Sequence, residues 1–507
     1  MSDTSDPGPQ AFDEGHLAEL MDLRRDKVRA WREEGTEPYP VGITVSDTLG
    51  ELAQEYDGKL EAGEESDRQV TVAGRVMMRR GHGKLVFLVL RERGVDLQAM
   101  VSLAEVGQDG MAGVDRLDTG DWVTVTGRVI RSRRGELSVL AQQVRIVAKA
   151  VRPLPDKWHG LSDVDTRYRQ RYVDLIVNEE SRRVFAIRSA IMQAFRGEMA
   201  DRGFVEVETP LLHPIPGGAV AKPFITHHNA LDIDLYLRIA PELYLKRLVV
   251  GGMDRVFEMG RVFRNEGLST RHNPEFTMLE TYQAYADHEH VMDMTQALVQ
   301  RAALEATGGH VVTFGGQRID LSKDFARRPL LGLAREATGI DDLAYDDDVE
   351  RVQQLCDDHD VPWKPDWGTQ KLIVELYEKL AEHTLIQPTF VTEHPVETSP
   401  LAHGHREVPF VTERFELLIA GRELANGFSE LTDPDDQRAR FEAQAKAKAA
   451  GDDEAMVVDE DYLRALEYGL PPTGGLGVGV DRFVMLLAGV ETIRDVILFP
   501  TLRPEAR

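Results

Sequence analysis

The sequence predicts an α+β protein in which a small five-stranded barrel precedes a larger antiparallel sheet flanked by helices. Three observations lead to this fold class. Short runs of alternating apolar and polar residues, separated by glycine-bearing turns, occur five times between residues 68 and 148. Two further alternating runs, at 256–263 and 276–282, flank a polar loop. Helical spacing follows as far as residue 385, after which strand-like runs return.

The composition is that of an ordinary protein with more than one domain. At 507 residues the chain exceeds what one hydrophobic core usually supports. Its net charge of −26 argues against indiscriminate nucleic-acid binding, although it permits a local basic surface. The single cysteine, Cys356, excludes an intrachain disulfide, and no apolar run approaches the roughly 20 residues that span a bilayer. We therefore expect a cytoplasmic protein without a membrane partner.

The first 60 residues are predicted to precede the barrel as a separate extension. Residues 1–15 lack periodicity and are expected to be disordered. From 16 to 34, apolar residues recur at helical spacing among arginines and lysines, which predicts a basic amphipathic helix within a helical extension at 16–60. The basic face of this helix is either solvated or in contact with a nucleic acid.

The barrel is predicted over residues 61–150. Between residues 71 and 93, six cationic side chains accompany a single anionic one, so this strip can follow a row of phosphates. Phe87 offers a stacking surface there, and Gln98 offers a partner for a base edge. In the alternative interpretation, Phe87 belongs to the barrel core and the arginines form a solvated edge.

A linker is predicted at 151–180, where Pro153 and Pro155 interrupt the pattern, and a second domain is predicted at 181–507. This domain begins with an amphipathic helix, a turn at Gly203 and a strand that ends at Pro210. The helical patterns after residue 287 are interpreted as a helical insertion, at about 288–390, between two halves of the sheet.

The hairpin at 255–287 carries an unusual combination of side chains. Its second run alternates, so an aromatic ring, a thioether, a carboxylate and a phenol share one face. These are Phe276, Met278, Glu280 and Tyr282. The preceding loop supplies three basic side chains, Arg264, Arg271 and His272. Taken alone, the pattern also fits a surface hairpin whose polar face is in water.

A second strand pair is predicted around residues 414–431, and its register has a consequence that can be tested. If Ala420 and Gly421 form a two-residue turn, positions 418 and 423 are paired, and Glu416 and Glu423 lie on one face. Strict alternation would then place Glu423 and Asn426 on opposite faces. If both line one pocket, an irregularity must fall between them, so we predict a bulge or twist at 423–426.

Four segments resemble one enzyme family. FRNEG followed by RHNPEFTMLE is similar to motif 2 of class II aminoacyl-tRNA synthetases, and GLGVGVDR is similar to their motif 3. PELYLKRLVVGG and GRELANGFSEL resemble the lysine-specific members, and the likeness extends over roughly residues 15–505. The resemblance implies an OB-fold barrel that binds the anticodon, a class II catalytic domain, and a homodimer formed through the motif 1 helix and strand. It also implies L-lysine, tRNA(Lys), ATP as co-substrate and Mg²⁺ as cofactor.

The resemblance also assigns roles to individual residues. The catalytic arginines are Arg264 and Arg482, which bind ATP together with Glu266, His272 and Phe276. The lysine ligands are Gly218, Glu242, Glu280, Tyr282, Asn426, Phe428 and Glu430, and the Mg²⁺ ligands are Glu416 and Glu423. The anticodon contacts are Arg79, Phe87, Gln98 and Glu136.

The residue types agree with the implied chemistry. The lysine carboxylate that attacks ATP is already ionised, so the site needs positioning and phosphate neutralisation rather than a base. The two ammonium groups of free lysine need anions when they are desolvated. Three other functions are compatible with parts of the pattern: an aspartyl- or asparaginyl-tRNA synthetase, a synthetase-like protein without catalysis, and a relative that lysylates a protein. A synthetase for an anionic side chain should offer a cation where this sequence has Glu430. A protein without catalysis should lack some of the residues expected to bind phosphate and metal, yet all are present. A relative that lysylates a protein would not need the attached barrel.

Overall fold

The structure is a computed structural model, and it describes residues 14–155, 161, 163–449 and 456–504. The chain divides into two compact units, Met1–Asp163 with Tyr172–Glu179, and Val164–Arg171 with Glu180–Arg507. The predicted disordered segment 1–15 lies outside the described residues except for Glu14 and Gly15, which are helical rather than disordered. No helix within the described ranges is long and apolar enough to cross a membrane.

The first unit is built around a closed five-stranded barrel, which confirms the predicted barrel. Its elements are α1 (Glu14–Glu33), α2 (Leu49–Glu55), β1 (Glu65–His82), β2 (Leu85–Glu92), β3 (Val95–Ser102), α3 (Leu103–Asp115), β4 (Trp122–Arg131) and β5 (Leu137–Ala148). The strand order around the barrel is β1-β2-β3-β5-β4. Alternate residues of β2, namely Val86, Leu88 and Leu90, are fully buried in the barrel core.

The predicted basic helix exists as α1, but part of its basic face serves packing. Trp31 is 3% exposed and belongs to the barrel core. Arg24 donates a hydrogen bond of 2.8 Å to the carbonyl of Ala150, and Lys27 pairs with Asp118 at 2.8 Å. These two cations therefore attach α1 to the barrel. This structural role is neither of the two predicted for the basic face, which were solvation and contact with a nucleic acid.

Two short helices follow the barrel in sequence: α5 (Arg171–Val177), which falls almost entirely in the first unit, and before it α4 (Val164–Arg169), the first helix of the second unit. Its next elements are α6 (Glu179–Asp201), β6 (Val205–Glu206), β7 (Leu212–His213), β8 (Ile225–His228), β9 (Ile233–Leu237), α7 (Glu242–Val250), β10 (Arg255–Phe263), β11 (Glu275–Ala284) and α8 (His288–Thr307). The remainder are β12 (Val311–Phe314), β13 (Gln317–Asp320), β14 (Ala326–Pro329), α9 (Leu330–Thr338), α10 (Val349–Asp358), α11 (Thr369–Leu380), β15 (Thr389–Thr392), β16 (Arg414–Leu418), β17 (Glu423–Ser429), α12 (Pro434–Ala449), α13 (Glu460–Glu467), β18 (Thr473–Gly479), α14 (Val480–Ala488) and α15 (Ile493–Val496).

An eight-stranded sheet organises this unit, in the order β14-β15-β16-β17-β18-β11-β10-β6. Neighbouring strands are antiparallel except at the two edges, where β14 is parallel to β15 and β6 to β10. Leu279 of β11 points into a core shared with α6, α8 and α14. Tyr282 points to the other face, where it packs with residues of α7 and α13. The candidate site lies on this second face.

The segment 288–390 differs from the predicted helical insertion. It contains α8, α9, α10 and α11, but also the β12–β13 hairpin and β14, which forms one edge of the main sheet. In addition, α8 is part of the core beneath the sheet. The hairpin turns at Gly315 and Gly316, both with positive φ, so a Gly-Gly turn signal was present between two short alternating runs.

Candidate active site

A cavity of about 410 Å³ opens on the second face of the sheet. Twelve of the predicted site residues line it: Gly218, Glu242, Arg264, Glu266, His272, Phe276, Glu280, Tyr282, Glu423, Asn426, Phe428 and Arg482. Glu416 and Glu430 are predicted site residues of this unit that do not line the cavity. The predicted residues therefore come together in one cavity from five separate stretches of chain.

The hairpin β10–β11 gives the cavity its long axis. The two strands pair in regular register from Arg255↔Gln283 to Phe263↔Glu275, which confirms the long-looped hairpin. Every second residue of β11 from Phe276 to Tyr282 lines the cavity, namely Phe276, Met278, Glu280 and Tyr282. At a rise of about 3.3 Å per residue, this row extends roughly 20 Å along the strand. An elongated ligand fits such a row better than a compact one.

A bulge in β17 confirms the predicted irregularity. Ala420 and Gly421 both have positive φ, and Leu418 pairs with Glu423, as expected for a two-residue hairpin turn. The next pair is Leu417↔Ala425, so Leu424 is an extra residue on one strand. Because of this extra residue, Glu423 and Asn426 both line the cavity.

One end of the cavity is strongly acidic. Glu242 and Glu280 line it, and each is at least nine-tenths buried. The hydroxyl of Tyr282 donates a hydrogen bond of 3.1 Å to Glu280 Oε2. Burial, together with the nearby charge of Glu242, raises the pKa of the Glu280 carboxyl to about 8. A cation that entered this end would favour the ionised form of Glu280.

Glu430 lies directly behind this acidic end. Its Oε2 forms an ion pair with Lys246 Nζ, whereas its Oε1 has no hydrogen-bond partner among the described residues, although Glu430 is only 2% exposed. A Cβ at Gly475, which lines the cavity, would lie 1.9 Å from that Oε1. The carboxylate is therefore accommodated only because residue 475 is a glycine. A buried acceptor of this kind needs a donor, and a bound cation would supply one.

The pKa of Glu280 leads to a stability prediction. The carboxyl titrates near 4.5 when unperturbed and at about 8 in the folded chain, so the folded state binds this proton more tightly. Its contribution to stability is complete below pH 4.5 and is lost as the pH rises through 8. The Glu280→Gln variant lacks this titration. Between pH 5 and pH 8, the unfolding free energy of the variant should therefore rise by roughly 3–4 kcal/mol relative to that of wild type.

Chemical denaturation of the two proteins at both pH values measures this difference directly. Titrating groups that do not interact with Glu280 cancel because both proteins contain them, and the measured difference includes the coupling of Glu280 with Glu242 and Glu430. A difference in unfolding free energy that stays constant from pH 5 to pH 8 would contradict the raised pKa of Glu280.

The other end of the cavity holds the arginines. The guanidinium of Arg264 lies 5.2 Å from the centre of the Phe276 ring, and no described residue accepts a hydrogen bond from its buried Nε. Arg482 donates from Nη1 to the carbonyl and to Oε2 of Glu423, at 3.0 and 3.1 Å. Burial, followed by the charge of Arg482, lowers the pKa of His272. Two arginines beside an aromatic ring suit a ligand that carries both phosphates and a flat ring, because the arginines can bind the phosphates and the aromatic side chain can stack on the ring.

The sequence matches two family models. The model for "tRNA synthetases class II (D, K and N)" covers residues 163–503, and the model for "OB-fold nucleic acid binding domain" covers residues 70–147. Among curated relatives, the lysine–tRNA ligase of Azoarcus sp. (strain BH72) is 51% identical over 98% of this chain and 99% of its own length. That of Bacillus subtilis (strain 168) is 50% identical over 96% and 98%.

The chain belongs to the lysine–tRNA ligase family. The five-stranded barrel is accordingly an OB-fold, and the second unit is a class II synthetase domain, as the resemblance implied. Members of the lysine–tRNA ligase family depend on ATP.

The two carboxylates expected to bind Mg²⁺ in this lysine–tRNA ligase family member lie on facing strands. Glu416 is opposite Asn426 in the register and Glu423 is opposite Leu418, so both carboxylates project from the cavity face. Glu423 reaches the cavity, whereas Glu416 pairs with Arg414 at 2.5 Å and does not line it. The described ranges contain no group of three or more metal-binding side chains. Two carboxylates suit Mg²⁺, which takes its other ligands from phosphates and water.

The predicted anticodon residues lie in the first unit, and they do not all share one face. Phe87 is half-buried and lies outside the barrel core, which removes the alternative that it is a core residue. Gln98 donates to Ser138 Oγ at 2.9 Å, and Glu136 is exposed in the β4–β5 turn. Arg79 is paired in register with Leu88, a core residue, and forms an ion pair with Asp115. Arg80 is the cation opposite Phe87 in the register.

Sequence reasoning missed one charged residue of the acidic end, Lys246. Its Nζ pairs with Glu242 Oε1 at 2.6 Å and with Glu430. Glu242 and Lys246 are four residues apart on α7, a spacing that brings opposite charges together on a helix. That signal was present in PELYLKRL, but it pointed to an ordinary surface pair rather than to a fully buried one.

Proposed function

We propose that this chain activates L-lysine with ATP and transfers it to tRNA(Lys). The single observation that carries this proposal is one elongated cavity in which buried carboxylates at one end continue into arginines at the other. Lysine supplies two ammonium groups for the carboxylates, and ATP supplies phosphates for the arginines. In the first step the lysine carboxylate attacks the α-phosphorus, a C–O–P bond forms and pyrophosphate leaves. In the second step the terminal ribose hydroxyl of tRNA attacks the carbonyl and AMP leaves.

The lysine ligands follow from the positions of the acidic groups. Glu430, Glu280 and Tyr282 are assigned to the ε-ammonium, because no residue in the described part of the chain donates to Oε1 of Glu430, which lies beside the cavity wall at Gly475. Glu242 and the backbone of Gly218 are assigned to the α-ammonium. A Cβ at Gly218 would be 3.1 Å from Glu242 Cβ, so the two residues are in contact.

Asn426 and Phe428 complete the proposed lysine site. The amide oxygen of Asn426 accepts a hydrogen bond from Arg414 Nε at 3.1 Å. Its NH₂ group is thereby turned to donate elsewhere, which suits the carboxylate of lysine. Phe428 would line the aliphatic part of the substrate, which has no polar group to satisfy.

The ATP site is proposed around Arg264, Arg482 and Phe276, with Glu266 and His272 beside them in the loop. Arg264 can donate two parallel hydrogen bonds to the α-phosphate and the incoming carboxylate together. Phe276 and Arg482 would cover the two faces of the adenine ring. When bound by Glu416 and Glu423, Mg²⁺ would neutralise phosphate charge. The carboxylate of Glu423 also accepts from Arg482, so it positions this arginine.

ATP–pyrophosphate exchange with each proteinogenic amino acid in turn tests the function. We expect exchange with lysine alone. Exchange with aspartate or asparagine, or none with any amino acid, would contradict the proposal. Aspartate is disfavoured because Lys246, a buried cation at the acidic end, is already paired with two carboxylates and is not available to a third.

We also propose that the barrel binds the anticodon with its outer face, through Phe87 and Gln98 and with Arg79 and Glu136 at its margins. Phe87→Ala should weaken tRNA charging and leave pyrophosphate exchange unchanged, because the lost contact is a base stacked on the ring. Stacking of about 1–3 kcal/mol corresponds to a roughly 5- to 150-fold rise in the KM for tRNA. Aminoacylation kinetics over a range of tRNA concentrations measures it.

Leu88→Ala is the contrasting variant for this test, since Leu88 is the neighbouring core residue of β2. It should lower the thermal stability of the barrel, whereas Phe87→Ala should not. If Phe87→Ala slowed exchange and charging equally, Phe87 would have a structural role instead.

A homodimer formed through α6 and the strand after it is proposed as well. Exposed apolar side chains are concentrated between residues 205 and 233: Val205, Leu211, Leu212, Val220, Ile225, Leu231 and Ile233. Such a concentration is typical of a surface that another protein covers. Sedimentation equilibrium should give twice the chain mass of 56.8 kDa, and a monomer at micromolar concentration would contradict the proposal.

A further inference from the structure

The ammonium group of Lys246 is completely buried in the wall of the acidic end. It pairs with Glu242 on its own helix and with Glu430, which follows β17. Three aromatic rings surround it, with ring centres 5.5 Å away for Phe428 and 5.9 Å away for both Tyr282 and Tyr462. Lys246 itself does not line the cavity, so it is placed behind two of the groups assigned to substrate lysine.

The charges around this group do not balance within the protein. Three buried carboxylates, those of Glu242, Glu280 and Glu430, surround the acidic end, and Lys246 is the buried lysine that pairs with two of them. When all three carboxylates are ionised, these three groups and Lys246 together carry a net charge of −2. Free lysine carries two ammonium groups, and its carboxylate is assigned to Asn426 and Arg264. The remaining charge therefore equals the charge on the two ammonium groups of the substrate.

We propose that Lys246 is a positioning residue of the lysine site, which fixes Glu242 and Glu430 and cancels one of three buried carboxylate charges, so that the site matches a substrate with two ammonium groups. The proposal rests on the proposed lysine activation. An amino acid with a single ammonium group would leave one buried carboxylate uncompensated, which is costly. Lys246 thus contributes to the choice of substrate without touching it.

The protonation of the same groups agrees with this role. Burial raises the pKa of the Glu430 and Glu242 carboxyls, and the charge of Lys246 opposes that rise in both. Although burial lowers the pKa of Lys246, the charges of Glu242 and Glu430 raise it above its usual value overall. Glu280, the hydroxyls of Tyr282 and Tyr462, and Arg414 beside Glu242 also act on this cluster, and Arg238 and Arg264 act on it through Glu280.

Four proteins test the proposal: wild type, Lys246→Met, Glu430→Gln and the double variant. The KM values for lysine and for ATP are measured by pyrophosphate exchange at pH 7 and pH 8.5. In Lys246→Met the KM for lysine should rise at least about tenfold at pH 7, because the two carboxylates lose their counter-ion and bind protons. This defect should be smaller at pH 8.5 than at pH 7, because a higher pH favours the ionised form of both carboxylates. The KM for ATP should stay within about twofold of wild type.

The decisive comparison uses Glu430→Gln as background. There, Lys246 competes with the substrate for Glu242, so adding Lys246→Met should lower the KM for lysine relative to Glu430→Gln alone. The same substitution thus has opposite effects in the two backgrounds. A residue that only supports folding would not produce this reversal. The double variant also removes both partners of a buried ion pair, which proteins tolerate better than the loss of one.

Each other outcome overturns the proposal. An unchanged KM for lysine in Lys246→Met makes Lys246 purely structural, and a lower KM means that it competes with substrate for Glu430. If Lys246→Met does not fold, the double variant decides: a KM for lysine no better than that of Glu430→Gln, or failure to fold, counts against the proposal. Lys149→Met is the matched control, because Lys149 is an equally buried lysine paired with Asp121 in the barrel unit. Absence of lysine-dependent exchange in wild type would instead refute the proposed function.

Discussion

Glu430→Gln is expected to reduce kcat/KM for lysine by roughly 30- to 4,000-fold, which corresponds to about 2–5 kcal/mol for the loss of one partner of a buried charge pair. The glutamine keeps the shape of the side chain and removes its charge. The ε-ammonium of lysine would then enter a buried site with one fewer anion, and Lys246 would keep only Glu242. Pyrophosphate exchange at varied lysine concentration measures the effect, which should fall mainly on the KM for lysine.

Asp121→Asn is the matched control for Glu430→Gln. Asp121 and Lys149 form a fully buried carboxylate–lysine pair at 2.8 Å, as Glu430 and Lys246 do, but in the barrel unit. This control should lose stability and keep its KM for lysine. Near-normal lysine-dependent exchange in Glu430→Gln would refute the assignment of Glu430 to the ε-ammonium.

Arg264→Ala should slow lysyl-adenylate formation by about 100- to 1,000-fold, the loss typical of removing one donor to the charge that develops in a transition state. The side chain is already stacked on Phe276 and has a buried Nε without an acceptor among the described residues, so its fork of donors is oriented before the substrates bind. Arg264→Lys should recover little, since an ammonium cannot hold two oxygens in one plane. A single-turnover burst of adenylate measures the chemical step without product release.

Arg261→Ala is the corresponding control. Arg261 lies on β10 close to Arg264, pairs with Glu275 at 3.5 Å and does not line the cavity. Its loss should leave the burst unchanged. An unaltered burst in Arg264→Ala would mean that this arginine has no role in the transition state, and tRNA binding should be nearly normal in both variants.

Alternation along strands explains why so much of the site could be predicted from sequence. Once β11 is assigned, the common face of Phe276, Glu280 and Tyr282 follows from a period of two, and the structure has that face. The bulge at Leu424 was predictable for the same reason. Glu423 and Asn426 are three positions apart, so a regular strand would place them on opposite faces, yet both were assigned to one pocket. Residues assigned by the family resemblance, such as Gly218 and Glu242, also line the cavity.

Long-range packing explains what could not be predicted. The position of Glu430 behind the cavity depends on Gly475, which is far away in sequence and adjacent only through the β17–β18 pairing. Burial of Lys246 depends on Tyr462 of α13, which no local pattern connects with α7. The strands within 288–390 were missed for a different reason. They are four residues long, too short for alternation to outweigh the helical spacing around them.

The extra residue at Leu424 adds an apolar contact to this strand without changing the face on which Glu423 lies. Leu424 is 3% exposed and packs into the core beneath the sheet. If Leu424 were deleted, the strand pair would continue without interruption, with Leu418 still opposite Glu423. Glu423 and Asn426 would then be two positions apart and would still share the cavity face. A shortened chain would therefore lose a buried hydrocarbon side chain, and with it stability, while amino-acid recognition and nucleotide handling survived.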